Sequence, residues 1–516
     1  MLARLGRRPL LARALCSKAA PGPPVRLTKI VATIGPASEQ AEPLQACVSA
    51  GVDVMRVNFS HATTEEFHLR RTNLRAAKGG EFVPVMLDTK GPEMRMGGLA
   101  VCKTGGRKAK IMLEAGKHVT LTTDPAYDGA SDESMLFVGY PLLADKVVPG
   151  TTVLLDDGLI ALRVVAVEPN RDVQCEILNS NLIGERKGVN LPGIITDLPA
   201  LSEKDMEDIR FGIEHDIDAV AASFVRNAEG VRSIRAHIAQ CHARYAPDPS
   251  SPPPLIISKI ESTEALDNLE EIIAESDGLM VARGDLGVEV PIEEVVTWQK
   301  MMVSACAAAG KPVIVATQML DSMQSNPRPT RAEVADVTNA VLEQADAVML
   351  SGESANGKYP VESVAMQAAI IRHTEAWATR HPEQSHAGVL DTRRTGGAIV
   401  PLSAAHYPGS LRAAHLASSS GAAAILVAET GAGEVARAVS ACKTNAPVLV
   451  FCPSLKVCRQ LSLSRALHPI LVPHSQAPPS AHQMAATARE LGFLAPGVPY
   501  VTLEASGAAT AITGGA

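Results

Sequence analysis

The chain has 516 residues, 46% of them hydrophobic and 20% charged, with a formal net charge of −7 at pH 7. That length allows several domains and a large core, and the acidic balance argues against nucleic-acid and membrane partners. The nine cysteines are scattered, with no CxxC pair, so they read as reduced thiols of an intracellular protein, and no apolar run approaches bilayer-spanning length.

Residues 1–25 stand apart from the rest. Arg4, Arg7, Arg8, Arg13 and Lys18 lie among leucines and alanines, and the first acidic residue is Glu39. Leu2, Leu5, Leu10 and Leu11 can share one face with the arginines opposite, the pattern of an organelle transit peptide. Arginine without a serine and threonine excess favours a mitochondrial address over a plastid one. The alternative is an ordinary basic extension on a cytoplasmic enzyme.

After the leader, apolar runs that end in polar or glycine-bearing tips recur: Val31–Ile34, Val54–Asn58, Val83–Asp88, Ala219–Phe224, Leu255–Lys259, Gly278–Ala282, Val313–Thr317 and Ala347–Leu350. Helical spacing lies between most of them, as in Glu203–His215 and Glu293–Ala309. This alternation predicts a (β/α)8 barrel over 26–95 and 194–385, with the strand tips collected at one mouth. The third and fourth runs are more than a hundred residues apart, too far for a loop. Strand-like runs at Val119–Thr123, Thr152–Leu155, Leu159–Val167 and Gln174–Ile177 predict a small β-barrel inserted over 96–193 as a lid. A polar linker, His381–Gly396, leads to a C-terminal α/β domain over 386–516. Its expected strands are Ala423–Ala428 and Pro447–Phe451, its helices Gly433–Ala441 and Ala481–Leu491, and its tail from Ala505 is expected to fray.

The tips carry the chemistry. In Leu255-Ile-Ile-Ser-Lys-Ile-Glu261, Lys259 and Glu261 share a strand face, and the next strand brings Asp285 beside them. One ammonium and two carboxylates at adjacent strand ends suit a hard divalent cation with a substrate that supplies further oxygens. Arg56, Asn58, Ser60, Asp88, Lys90, Ser223, Arg226, Thr317, Ser351 and Glu353 lie at the other tips. A single Lys–Glu pair reads as a structural ion pair, but so many polar tips behind buried strands read as an active site.

The run Leu255-Ile-Ile-Ser-Lys-Ile-Glu-Ser-Thr-Glu-Ala-Leu266 resembles the active-site signature of the pyruvate kinases. The motifs Thr33-Ile-Gly-Pro-Ala-Ser38, Arg56-Val-Asn-Phe-Ser-His61, Asp88-Thr-Lys-Gly-Pro-Glu-Met-Arg95, Lys187-Gly-Val-Asn-Leu-Pro192, Met280-Val-Ala-Arg-Gly-Asp-Leu-Gly287, Ala316-Thr-Gln-Met319 and Leu350-Ser-Gly-Glu353 extend that resemblance from about Thr28 to Pro360. It implies a barrel, an inserted β domain and a C-terminal α/β domain, usually in a homotetramer, and phosphoryl transfer from phosphoenolpyruvate to ADP. By resemblance, Lys259, Arg56 and Thr317 are catalytic, and Gly284 and Asp285 join them in binding substrate. Glu261 and Asp285 hold Mg2+, while Asn58, Ser60, Asp88 and Thr89 hold K+. Pro36, Asn58, His61, Arg95, Asp157 and Lys187 face the nucleotide, although a packed structural histidine is an equal reading of His61. Glu93 matches the potassium-using members, unless it merely pairs with Arg95 or Lys90. The run Glu429-Thr-Gly-Ala-Gly-Glu434, the short loop Glu504-Ala-Ser-Gly-Ala-Ala-Thr510 and the absence of tryptophan beyond Trp377 depart from the sugar-phosphate-activated members. Two rival readings are a magnesium-dependent lyase or aldolase acting on an enolate, and a catalytically silent scaffold of the same fold.

Overall fold

The computed structural model describes residues 10–11, 25–102, 109–381, 407–472, 478–504 and 507–512. The leader's basic residues and most of the polar linker after His381 lie outside them. Among the described residues, no helix is long and apolar enough to cross a membrane.

Eight parallel strands close into a barrel: β1 (Lys29–Thr33), β2 (Val54–Asn58), β3 (Val85–Asp88), β4 (Ala219–Ala222), β5 (Leu255–Ile260), β6 (Gly278–Ala282), β7 (Val313–Ala316) and β8 (Ala347–Leu350). The two faces of each strand have different neighbours, as the period of two requires. Val31, Val54, Met86, Ala219, Ala221, Ile257, Met280, Ile314, Ala347 and Met349 fill the interior, and Leu463 of the C-terminal domain joins that cluster. The alternate residues, such as Ile30, Met55, Leu87 and Val220, pack against the surrounding helices. Several of those helices start on side-chain caps: Thr63 with Glu66, Ser202 with Asp205 and Thr330 with Glu333 each form a capping box.

The even strands share one further device. Asp53, Asp218, Asp277 and Asp346 stand just before β2, β4, β6 and β8. Each carboxylate accepts the backbone N–H of a residue on the preceding strand: Ile30 at 2.8 Å, Val85 at 2.9 Å, Ile256 at 2.8 Å and Val313 at 3.1 Å. Each aspartate N–H bonds back to the carbonyl of that same residue. The carboxylates are balanced by Arg26, by Arg459 with Lys456 and Arg75, by Arg235 and by Lys443. Lys443, Lys456 and Arg459 come from the C-terminal domain, so buried ion pairs fasten that domain beneath the barrel.

The insertion leaves after Arg95 and returns by Gly193, with Arg95 and Gly188 bridged at its neck. It is mostly β, a six-stranded sheet and a two-stranded ribbon around one apolar core, with a short helix at Leu143–Lys146. The ribbon strands Ile111–Leu113 and Asn181–Ile183 are too short to show as runs in the sequence. The C-terminal sheet has parallel strands Ile425–Ala428, Val448–Cys452, Leu467–Leu471 and Tyr500–Leu503, with Leu10–Leu11 antiparallel against one edge. Along its other edge Ala509–Ile512 pairs antiparallel with Tyr500–Leu503, so this part of the tail is a strand and not frayed. Its small residues concealed a backbone that pairs in register with the neighbouring strand.

Asp218 is fully buried. Burial alone would raise its carboxyl, but Lys456, Arg459 and Arg75 outweigh that and hold it below the ordinary range. The stabilisation is therefore complete at neutral pH and is lost as the pH falls below about 4, through the depressed folded value. Asp218→Asn leaves the buried Lys456 and Arg459 only the half-buried Asp216 as a carboxylate partner and is expected to cost about 3 kcal/mol at pH 7. It should appear as a lower thermal midpoint that converges on wild type in acid. Equal midpoints at pH 7 would contradict the assignment.

Candidate active site

The barrel mouth is organised by a chain of buried charges. Asp88, at the end of β3, is 1% exposed and receives Arg56 Nε at 2.6 Å and Lys259 Nζ at 3.2 Å. Arg56 also donates to Thr33 Oγ1 at 2.8 Å, which fixes the guanidinium across β1 and β2. Burial would raise Asp88, but Arg56 and Lys259 hold it below the usual carboxylate range. Lys259 Nζ continues to Ser223 Oγ at 2.8 Å and lies 2.9 Å from Glu261 Oε1. Burial would lower its ammonium, yet Asp88 and Glu261 overcome this and raise it well above the lysine range. Lys259 is therefore a fixed positive charge.

Glu261 and Asp285 form the other pole. Glu261 Oε2 accepts the Phe224 N–H at 2.6 Å. Its Oε1 is buried with no aligned hydrogen-bond donor, despite the nearby ammonium. Burial pushes Glu261 up to about 7, and Asp285 adds to the rise against Lys259. Asp285 is raised as well, by burial first, with Asp157 and Glu93 adding to the rise against Lys259 and a hydrogen bond to Glu261. Two carboxylates that crowd each other at the floor of a cleft favour a proton or a cation between them. Among the described residues, no group of three or more metal-ligating side chains converges. An all-oxygen pair with an orphaned Oε1 fits Mg2+, which takes its remaining ligands from substrate and water.

Asp285 lies in the first turn of the short helix Arg283–Glu289 that follows β6. Gly284 lets Thr317 approach there, because a Cβ at Gly284 would stand 2.9 Å from Thr317 Cγ2. The four oxygen-bearing residues assigned to K+ also come together. Asn58 and Asp88 are register partners, Asn58 Oδ1 accepts the Ser60 N–H at 3.0 Å, and the Thr89 carbonyl accepts Ser223 Oγ at 2.6 Å. Their donor set is all oxygen, although Asp88 already shares its charge with Arg56 and Lys259.

A cleft of about 410 Å³ opens above Asp285, lined by His61, Glu93, Arg95, Asp157 and Lys187 among others. The lid thus contributes Asp157 and Lys187 to the same space as the barrel carboxylate. Lys187 is paired with Asp156 at 3.0 Å, one residue before Asp157. Arg95 Nε is paired with Glu93 at 2.6 Å, as the structural reading of Glu93 required. A second cavity of about 320 Å³ is lined by Pro36, Arg56, Asn58, His61, Glu66 and Arg70 among others. His61 lines both cavities and is exposed, so it is not a packed core histidine.

One of the collected tips faces elsewhere: Glu353, 1% exposed, accepts the N–H groups of Leu320 and Ser351 and braces loops. Arg226 lines the cleft above Asp285 and is held there by the Leu198 and Pro199 carbonyls at the lid's return. Thr33 received no role from the sequence, and only its place at a strand end, two residues after inward-facing Val31, hinted at one. Arg283 stood out in the sequence only as a member of the motif Met280–Gly287.

This is the site of a barrel enzyme with fixed positive charge beside a pair of crowded carboxylates, a phosphotransferase design. The pyruvate kinase barrel domain family matches residues 25–364, and the pyruvate kinase alpha/beta domain family matches residues 410–513. Pyruvate kinase 1 of Trypanosoma brucei brucei is 40% identical over 444 residues, covering 86% of this chain and 84% of that one. Pyruvate kinase PKLR of Homo sapiens is 42% identical over 454 residues, covering 86% and 75%. A crystal structure of a pyruvate kinase from Cryptosporidium parvum is similar with a TM-score of 0.84 at 34% identity, covering 95% of this chain and 96% of that one. The chain belongs to the pyruvate kinase family.

Replacing Lys259 with methionine keeps an unbranched side chain one atom shorter and removes the charged group that meets Asp88, Ser223 and Glu261. Lys259→Met is expected to lower turnover at saturating substrates by about 10²–10³-fold, the cost of losing one preorganised electrostatic group. Near-wild-type turnover would remove Lys259 from the machinery.

Proposed function

We propose that the chain transfers the phosphoryl group of phosphoenolpyruvate to ADP, giving pyruvate and ATP, and requires Mg2+ and K+. The observation that carries this is the convergence of Lys259, Arg56 and the under-compensated Glu261–Asp285 pair beneath a lid bearing Asp157 and Lys187. Phosphoryl transfer needs little covalent chemistry from a protein and much positioning and charge. Glu261 and Asp285 would hold Mg2+, which when bound neutralises substrate carboxylate and phosphoryl oxygens. Arg56 clamps the phosphate. Lys259 stabilises charge on the transferring group and on the enolate oxygen left behind. Thr317 and the Gly284–Asp285 helix start orient the substrate carboxylate, and the Thr317 hydroxyl orders a water for proton relay.

Pro36, Asn58, His61, Arg95, Asp157 and Lys187 receive the nucleotide. Arg95 and Lys187 then exchange Glu93 and Asp156 for phosphates as the lid closes and excludes water. Asn58, Ser60, Asp88 and the Thr89 carbonyl would hold K+. A lyase or aldolase acting on an enolate would have no use for Arg95 and Lys187 in the cleft. Assembly is proposed to be a homotetramer, for which the exposed Ile292, Val296 and Met301 around helix Val295–Ala309 offer apolar surface. Residues 1–25 are proposed to direct the enzyme to the mitochondrial matrix or another organelle. Their fusion to a fluorescent protein tests this, and diffuse cytoplasmic signal would refute it.

The deciding experiment is a coupled assay of pyruvate formed from phosphoenolpyruvate with and without ADP. ADP-dependent pyruvate is expected, and its absence overturns the reading. Wild type should lose activity when K+ is replaced by a tetraalkylammonium salt at equal ionic strength, and Glu93→Lys should restore it. Full activity of wild type without K+ would refute the potassium claim.

Fructose 1,6-bisphosphate is expected not to activate. Glu429, 4% exposed, already places its carboxylate on the Gly431 and Ala436 N–H groups at 3.0 and 3.1 Å, filling the start of helix Glu434–Ala441 with the chain's own anion. A leftward shift of the phosphoenolpyruvate saturation curve at micromolar effector would contradict this.

A further inference from the structure

Thr317 and Gln318, directly after β7, have φ angles of 74° and 55°. Left-handed backbone is unfavourable for any residue with a Cβ and most unfavourable for a β-branched one such as Thr317. Two such residues in succession persist only where neighbours enforce them.

The enforcing groups come from the loops on either side. From the β6 loop, Arg283 Nε donates to the Ala316 carbonyl at 3.0 Å, and Nη2 donates to the Thr317 carbonyl at 2.7 Å. The same guanidinium is fixed from behind by Asp336, with Nη1 and Nη2 each 2.7 Å from one of its carboxylate oxygens. Gln299 Oε1 accepts from Nη1 at 3.2 Å, and the Met319 sulfur lies 3.0 Å from Nη2. From the β8 loop, Glu353 takes the Leu320 N–H at 3.0 Å. Beside Arg283, Gly284 leaves the gap into which Thr317 packs.

A structural ion pair needs only Arg283 and Asp336. Here the remaining guanidinium donors are spent on two consecutive carbonyls at the strained turn. That arrangement fixes peptide planes, and peptide planes set where the Thr317 side chain leaves the backbone.

We infer that Arg283 is a positioning residue for catalysis, acting through Thr317, with Asp336 as its anchor. The inference rests on the reading of Thr317 as a substrate-contacting residue. The flat fork of the guanidinium is essential to it. A lysine ammonium is a single point charge and cannot bridge two carbonyls and a bidentate carboxylate together.

The test is kcat and KM for phosphoenolpyruvate and ADP, with thermal midpoints, for Arg283→Gln, Arg283→Lys, Asp336→Asn, Thr317→Ala, and Arg283→Gln and Asp336→Asn each combined with Thr317→Ala. Arg283→Gln is expected to lose about ten- to a hundredfold in kcat, the scale of a small misplacement in a positioned site. KM for ADP should stay unchanged, and lysine should not rescue. Asp336→Asn leaves the guanidinium loosely held and should lose less, in the same direction. Added to Thr317→Ala, either substitution should cost less than about threefold more, because groups acting as one unit do not add.

Wild-type kcat in Arg283→Gln, rescue by lysine, or an equal loss in both backgrounds overturns the inference. Should Arg283→Gln fail to fold, the Asp336→Asn comparison in the two backgrounds decides alone. A fully active Thr317→Ala would end the reading of Thr317 itself, and an Arg283→Gln loss that persisted in it would overturn positioning as well.

Discussion

A carboxylate taken out of water must be paired or it will not stay ionised, and both ends of this barrel are built on that rule. At the end where strands begin, the buried Asp53, Asp218 and Asp346 and the half-buried Asp277 each have a basic partner and a backbone N–H. At the end where strands finish, Asp88 is similarly satisfied by Arg56 and Lys259. Glu261 also has Lys259 and the Phe224 N–H, but it divides that lysine with Asp88. Glu261 and Asp285 crowd one another, and both are raised. Local under-compensation in an otherwise balanced charge lattice marks where a bound cation belongs. Without the balance around it, the same pair would be one more polar contact.

The layout of the barrel was legible because buried parallel strands are continuous apolar runs, and their ends show as abrupt changes to charge. Lys259, Glu261 and Asp285 could be placed together from strand parity and a crossover alone. Elements of three residues, such as Ile111–Leu113, carry no period to detect. The strand Ala509–Ile512 was hidden because alanine and threonine flanked by glycine look like a loose tail, whereas its order comes from pairing with Tyr500–Leu503. Partner choice was equally hidden. Nothing local says that Lys187 meets Asp156 and not Asp157, since that depends on a turn in which Asp156 and Asp157 both have positive φ. The aspartates before the even strands were visible in sequence as Asp followed by a small or β-branched residue. Their meaning needed the neighbouring strand's N–H groups.

The lid and the C-terminal domain are attached to the barrel by different physics. The C-terminal domain is locked by Lys443, Lys456 and Arg459 inside buried ion pairs, and by Leu463 in the interior cluster. The lid touches the barrel through its neck and a few polar contacts, such as Asn190 to Glu289 at 3.2 Å and Lys146 to Asp197 at 2.7 Å. One attachment resists motion and the other permits it. That division suits a catalytic mouth that must open for two substrates while its strands stay in register.

The carboxylate clasps join the strands in twos: first with second, third with fourth, fifth with sixth, seventh with eighth. Three of them span 23, 21 and 33 positions of chain. The clasp from Asp218 to Val85 spans 133, because the whole lid hangs inside it. Lengthening a closed excursion is entropically cheap, about 0.6 kcal/mol per doubling, provided that its two ends are fixed by something other than the excursion itself. The clasp supplies that fixation. The lid is therefore a pendant whose length and internal architecture are free to drift over generations, while the two strands that carry it remain tied at their roots.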